Sequence, residues 1–151
     1  MCVGFANTNS TAYISEPVGN SGAAIIVNKK GDRSVTLYRL DDFCCDRKID
    51  KIDFLKIDVE GFERYVLEGG KETLKKSRPV MLIELNPVAL AKNSQSVLEL
   101  VEFIKHNGYV LYEVMRTKLK LLTHLPGGED HIDAFCFPRE KIEPFKKEGV
   151  I

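Results

Sequence analysis

The pattern of apolar and polar positions divides the chain into a β-rich opening and a longer stretch in which strands and helices alternate. Residues 12–15, 23–27 and 34–40 are short apolar or alternating runs, which predicts three strands. The segments between them, 17–22 and 29–32, are rich in Gly, Asn and Lys, so the three runs read as antiparallel, hairpin-like material. From residue 41 the character changes. Residues 54–58 form a compact, mostly apolar run expected as a buried strand. Phe62, Tyr65 and Val66 recur at i, i+3 and i+4, predicting a helix over 62–68. Gly69 and Gly70 stop it, because glycine enters the left-handed backbone at a helix end at little cost.

Residues 71–76 predict a second short helical turn, and 80–85 the clearest strand. A longer helix is expected over 94–106, with Val97, Leu98, Val101 and Ile104 as its buried stripe and Asn107-Gly108 closing it. Strands over 109–115 and 132–137, a pairing segment at 119–122, a polar loop at 126–130 and a terminal helix over 139–149 complete the chain. Strands alternating with helices predict an α/β fold with a parallel sheet covered on both faces. No repeat or low-complexity segment interrupts the pattern. The chain reads as a single domain, 1–151, with a β-rich segment at 1–43 and a βαβ-containing part at 44–151.

Composition narrows the functions open to such a domain. Its 151 residues suit one domain, and 44% hydrophobic with 29% charged residues is the balance of a chain that buries a core. Lys+Arg and Asp+Glu both number 22, so nothing in the net charge favours nucleic acid. No apolar run approaches the roughly 20 residues of a membrane span. The first ten residues lack the charged-then-apolar order of a secretory leader, so a cytoplasmic location is expected. Cys2, Cys44, Cys45 and Cys136 show no metal-ligand spacing and are expected to be reduced thiols.

In open α/β sheets, ligands bind outside the carboxyl ends of strands. Two strand ends here carry carboxylates: Lys56-Ile57-Asp58-Val59-Glu60-Gly61 and Ile83-Glu84-Leu85-Asn86-Pro87. Adjacent parallel strands would project Asp58, Glu60, Glu84 and Asn86 toward one rim. Such a rim could bind a hydroxyl, an amine, a ribose or a divalent metal. Gly61 removes a side chain where a ligand or a backbone must come close. The alternative is that Asp58 and Glu60 merely cap the next helix, where carboxylates are favoured. Glu84 could equally pair with Lys56. His131 could line the acceptor side or be a plain loop histidine. His106 reads as a helix C-terminal cation and His124 as a loop residue. Lys71, Lys75, Lys76 and Arg78 read as a solvated basic face, and Tyr109 and Tyr112 as packed in or edging the sheet.

A longer segment is more specific. It contains Asp53-Phe54-Leu55-Lys56-Ile57-Asp58-Val59-Glu60-Gly61-Phe62-Glu63, then Val66-Leu67-Glu68-Gly69, then Pro79-Val80-Met81-Leu82-Ile83-Glu84. These blocks, in this order, resemble the FkbM-type methyltransferases. The upstream run from Val35 through Leu40-Asp41 to Phe43 is similar to the family's segment ending in Leu-Asp, and the opening from Gly4 to Ser15 is similar to the piece after its third strand. The resemblance implies a class I, Rossmann-like fold using S-adenosylmethionine to methylate hydroxyl oxygens on sugars and other small molecules. It places Asp58 and Glu60 at the end of the fourth strand and Glu84 at the end of the fifth. Asp58, Glu60 and Glu84 are then the catalytic candidates, with Asp58 and Gly61 beside the cofactor and no resident metal.

That fold binds its cofactor at an opening strand and Gly-rich turn, and this chain has no Gly-x-Gly element: Gly4, Gly19, Gly22 and Gly31 stand apart. A six- or seven-strand sheet of βαβ units needs about 200 residues. The expectation is therefore the C-terminal portion of the domain, a partial class I sheet without its N-terminal Gly-rich strands, working with a complementing N-terminal half or as a homo-oligomer. Two other readings compete. One is a non-catalytic binding or assembly module on the same fold. The other is a phosphoester hydrolase holding magnesium on Asp58, Glu60 and Glu84.

Overall fold

The computed structural model describes residues 3–15, 25–27, 33–149 and 151, arranged as two sheets and a set of short helices. The first sheet contains β1 (Val3–Phe5), β2 (Ser10–Ser15), β3 (Ile25–Val27) and β4 (Arg33–Tyr38), in the order β1-β4-β2-β3. Strand β2 runs antiparallel to both β3 and β4, as the hairpin pattern predicts. The pattern did not disclose β1, which lies parallel to β4. The expected turns 17–22 and 29–32, and residues 23–24 of the expected strand, lie outside the described residues. Ala6, Val35 and Leu37 form a small core with Ala12 and Ile14 packed against it.

The second sheet contains β5 (Phe54–Ile57), β6 (Val80–Leu85), β7 (Tyr109–Val114), β8 (Leu119–Leu121) and β9 (Ile132–Pro138), in the order β5-β6-β9-β7-β8. The expectation of a parallel sheet is corrected: here only β5 and β6 pair in parallel, and β9 is antiparallel to both its neighbours. The cause is an insertion. Helices α4 (Pro87–Lys92) and α5 (Val97–His106) carry the chain from β6 to β7, which point the same way but one strand apart. The slot between them is filled by β9, returning from β8 in the opposite direction.

Coverage on both faces is corrected as well. Alternation along the strands sends Ile57, Met81, Ile83, Leu85, Tyr109, Leu111, Ala134 and Cys136 to one face. There they share one core with Val66 and Leu67 of α2 (Glu63–Gly69), Leu74 of α3 (Lys71–Ser77), Leu90 of α4 and the apolar stripe of α5. The opposite face carries Phe54, Lys56, Leu82, Phe135 and Tyr112. Phe54 is 51% exposed. Among the described residues, this face gains a helix at Phe137, against which Phe145 of α6 (Ile142–Lys147) packs with ring centroids 4.7 Å apart. The expected terminal helix is thus shorter, a 3₁₀ turn at Arg139–Lys141 leading into α6.

Helix α5 opens with a reciprocal cap, Ser96 accepting from the Glu99 amide while Glu99 accepts from the Ser96 amide. Its buried stripe is Val97, Leu100, Val101 and Ile104. Leu98 is not part of it and stands 56% exposed, because a stripe at i, i+3, i+4, i+7 from Val97 leaves the next position facing out. Helix α1 (Leu40–Asp46) begins where the sequence pattern still suggested strand. Its Asp41 caps α3 from a distance, accepting from the amides of Thr73 at 2.8 Å and Glu72 at 3.3 Å. Arg78 closes α3 and binds the carbonyls of Asn107 and Gly108 together with Glu140. Its guanidinium lies 4.6 Å from the centroid of Tyr109, whose buried phenol is pushed up to about 12 by that burial. Cys44, Cys45 and Cys136 are free thiols, and Cys2 lies outside the described residues. Among the described residues, no helix is long and apolar enough to cross a membrane.

Candidate functional site

Because β5 and β6 are parallel neighbours with Ile57 beside Ile83, their carboxyl ends open side by side. Asp58, Glu60 and Glu84 gather there as the strand ends suggested, close enough that both other carboxylates act on Glu84. Burial and then the Asp58 charge push the Glu84 carboxyl above its ordinary range, while an Asn86 hydrogen bond and His131 pull the other way. His131 Nε2 stands 3.9 Å from Glu84 Oε1, which places this exposed histidine at the rim. Lys56 does not pair with Glu84. It meets Asp58 at 3.0 Å, since residues two apart share a strand face. Asn86 spends its Oδ1 on the Ala89 amide at 3.0 Å, capping α4 ahead of Pro87.

The link from β5 to α2 is a tight turn closed by the Phe62 amide on the Val59 carbonyl at 3.2 Å. Its central residues, Glu60 and Gly61, have φ of 52° and 96°. Two successive positive values are the signature of a type I′ turn, which favours Asn-Gly or Gly-Gly. Glutamate at the first position is an unusual choice, since a left-handed non-glycine residue costs about 1–2 kcal/mol. One carboxylate oxygen of Glu63 holds the turn, accepting from the Gly61 amide at 3.1 Å and the Val59 amide at 3.3 Å. Glu63 is only 1% exposed, and its other oxygen has no partner among the described residues. Burial raises its proton affinity against the pull of those amides.

This geometry decides two alternatives left open above. Helix α2 has no side-chain cap at Phe62, and the carboxylate in its first turn is Glu63, so Asp58 and Glu60 are not consumed in capping. Gly61 lacks a side chain because a backbone comes close. A Cβ there would collide with the Ala89 carbonyl and reach 2.8 Å from Asn93 Nδ2. Its carbonyl accepts from Asn93 at 3.3 Å and its amide donates to Glu63, so both polar groups of Gly61 are satisfied within the chain.

Beyond the turn lies a cavity of about 550 Å³, whose walls include Asn7, Thr8, Phe62, Tyr65, Lys92 and Asn93. Nothing in the sequence brings Asn7 to the end of α4. Glu63 stood in the motif without a role, and the only signal for its grip was the Glu-Gly turn it follows. The remaining histidines keep local company: His106 Nδ1 lies 2.8 Å from the Glu102 carbonyl, and His124 Nδ1 lies 2.9 Å from the Thr123 hydroxyl. The basic residues disperse, with Lys71 over the Phe103 ring, Lys76 toward Asp50 and Arg78 at Glu140. Among the described residues, no group of three or more His, Cys, Asp and Glu side chains is arranged to hold a metal ion.

Comparison with known proteins gives a family for the chain. The model of the methyltransferase FkbM domain matches residues 4–111, a span that begins within β1 and includes all three rim carboxylates. The 2-O-methyltransferase NoeI of Sinorhizobium fredii (strain NBRC 101917 / NGR234) is 48% identical over 48 residues. That stretch is 32% of this chain and 20% of the relative, so the chain matches a fifth of that protein's length. No solved structure matches the chain.

Proposed function

The chain belongs to the family of FkbM methyltransferase domains, and we propose that it transfers a methyl group from S-adenosylmethionine to a hydroxyl oxygen of a small molecule or glycan. The observation that carries this reading is the rim itself. Asp58 and Glu60 leave the end of an edge strand free of any capping duty, on a turn that accepts left-handed strain at Glu60. Strain retained at such a position is a mark of sites under functional constraint. The finer fold reading is the distal part of a Rossmann-like class I sheet, supported by the parallel β5-β6 pair and by carboxylates outside its carboxyl ends.

The donor set fits the methyl donor's chemistry, for three carboxylates make a rim suited to a cation. When bound, S-adenosylmethionine supplies an electrophilic methyl on a positively charged sulfur. Asp58 and Glu60 hold that end of the donor and orient the acceptor. Glu84, whose proton affinity burial raises, receives the hydroxyl proton. Much of the acceleration comes from aligning the acceptor hydroxyl with the methyl group. With no Gly-x-Gly turn in the sequence, a complementing N-terminal half or a second copy supplies the remainder of the cofactor cradle.

Two observations favour a second reading, a non-catalytic assembly module. Among the described residues, the outer edge of β5 is unpaired in the sheet and Phe54 on the opposite face stands exposed. Both are what a completing partner would cover, whether or not chemistry follows. Calorimetric titration of the chain with S-adenosylhomocysteine separates the two. Methyl transfer predicts micromolar binding that Asp58→Ala abolishes. A folded chain that releases no heat, both alone and with an N-terminal half of an FkbM methyltransferase domain added, sinks the methyltransferase reading and leaves the assembly module.

A further inference from the structure

The turn at Glu60 poses a question that its neighbours answer. A type I′ turn is readily made by Asn-Gly, yet glutamate occupies the strained position, so the carboxylate is worth more there than the strain it brings. Something must keep the left-handed conformation in place. The closing Phe62–Val59 bond spans the turn but does not favour a positive φ over the common, negative one. Glu63 does. A single oxygen accepts from the amide before Glu60 and the amide after it, bridging the left-handed residue from both sides. Asn93 holds the next peptide unit, donating to the Gly61 carbonyl at 3.3 Å.

We propose that Glu63 is the positioning residue of the rim, a buried clamp that holds Glu60 left-handed and so sets where the Asp58 and Glu60 carboxylates stand. This rests on the methyl-transfer reading only in treating Glu60 as a working group. The partnerless second oxygen fits the role. Glu63 is retained for the two amides it gathers, although burying the rest of its carboxyl is unfavourable.

The test measures the backbone of residue 60 directly. In ¹⁵N-edited NOE spectra, a residue with positive φ shows an unusually strong cross-peak between its amide and its own α-proton. Wild type and Glu63→Gln, which keeps one acceptor oxygen, are expected to show it at Glu60. Glu63→Asp, too short to span both amides, and Glu63→Leu are expected to lose it. Should Glu63→Leu fail to fold, Glu63→Asp decides. Strain also couples the two positions. The loss of melting temperature caused by Glu63→Asp should fall by at least half on a Glu60→Gly background, because glycine takes the turn unaided. A folded Glu63→Asp protein that retains the strong Glu60 cross-peak, or losses that simply add, would overturn the proposal. S-adenosylhomocysteine affinity gives a separate readout, expected to fall in Glu63→Asp as far as in Glu60→Gln and to survive in Glu63→Gln. If wild type does not bind S-adenosylhomocysteine, even with an N-terminal half of an FkbM methyltransferase domain added, the methyl-transfer reading fails while the cross-peaks still decide the clamp.

Discussion

Three glycines allow the cost of crowding at the rim to be separated from the cost of backbone conformation. At Gly127 an added Cβ meets nothing within 4 Å and φ is not positive. Gly127→Ala should therefore stabilise the fold by about 0.4–1 kcal/mol through the unfolded chain alone. Gly128 also faces open space, but its φ is +64°. Strain of about 1–2 kcal/mol then outweighs the entropic gain, leaving Gly128→Ala roughly 1 kcal/mol destabilised. Gly61 combines a φ of +96° with the Ala89 carbonyl lying where its Cβ would be. A backbone carbonyl cannot rotate away as a side chain can, so overpacking adds about 1–3 kcal/mol to a strain of about 1–3. Gly61→Ala is expected to lose roughly 2–5 kcal/mol, a large part of the 5–15 kcal/mol typical of a domain. At about 2–4 °C per kcal/mol the melting temperature should drop by some 4–20 °C, while Gly128→Ala loses only a few degrees. Thermal unfolding followed by circular dichroism measures all three. If Gly61→Ala and Gly128→Ala melted together, the close approach of α4 to the turn would contribute nothing, and the structural explanation of Gly61 would be wrong.

The corrected face of α5 predicts that Leu100→Ala costs about 2–5 kcal/mol while Leu98→Ala stays within about 0.5, and urea midpoints that rank them the other way would restore Leu98 to the core. Burial holds the Glu63 and Glu84 carboxyls above their ordinary range, so the folded state binds those protons more tightly than the unfolded chain. Their contribution to stability is therefore greatest below the ordinary carboxylate range and is lost as pH rises through the folded values. Glu84→Gln should remove its share of that decline in urea midpoints recorded from pH 4 to 7, and a slope identical to wild type would contradict it.

Elements whose signal is local were legible in the sequence. The strand over 80–85 was read at its observed bounds, whereas the helix expected from 94 starts at Val97, after a Ser96–Glu99 cap that the apolar period does not reveal. Helix α4 was missed although Asn86-Pro87 is a strong helix opening, because its six residues are too few to display a period. Strand direction was misread for a different reason. Helices between β5, β6 and β7 fix those strands parallel, but nothing local reveals that a strand from much later in the chain inserts between two of them. The rim divides the same way. Asp58, Glu60 and Glu84 followed from their places at strand ends, whereas the Lys56 pairing, the Asn93 bond to Gly61 and the grip of Glu63 depend on distances that spacing does not contain.

The insertion of β9 also governs the order in which this molecule can be made. During synthesis β6, α4, α5 and β7 emerge well before residues 132–138, yet β6 and β7 cannot hydrogen-bond to one another across the vacant slot. Until β9 leaves the ribosome, Ile83 and Leu111 have no strand between them, and Ala134 and Cys136 are missing from the core they share. Until then the nascent chain carries two exposed strand edges, a state prone to wrong pairing. Closure of the sheet is a late, long-range event, and topologies of that kind fold slowly.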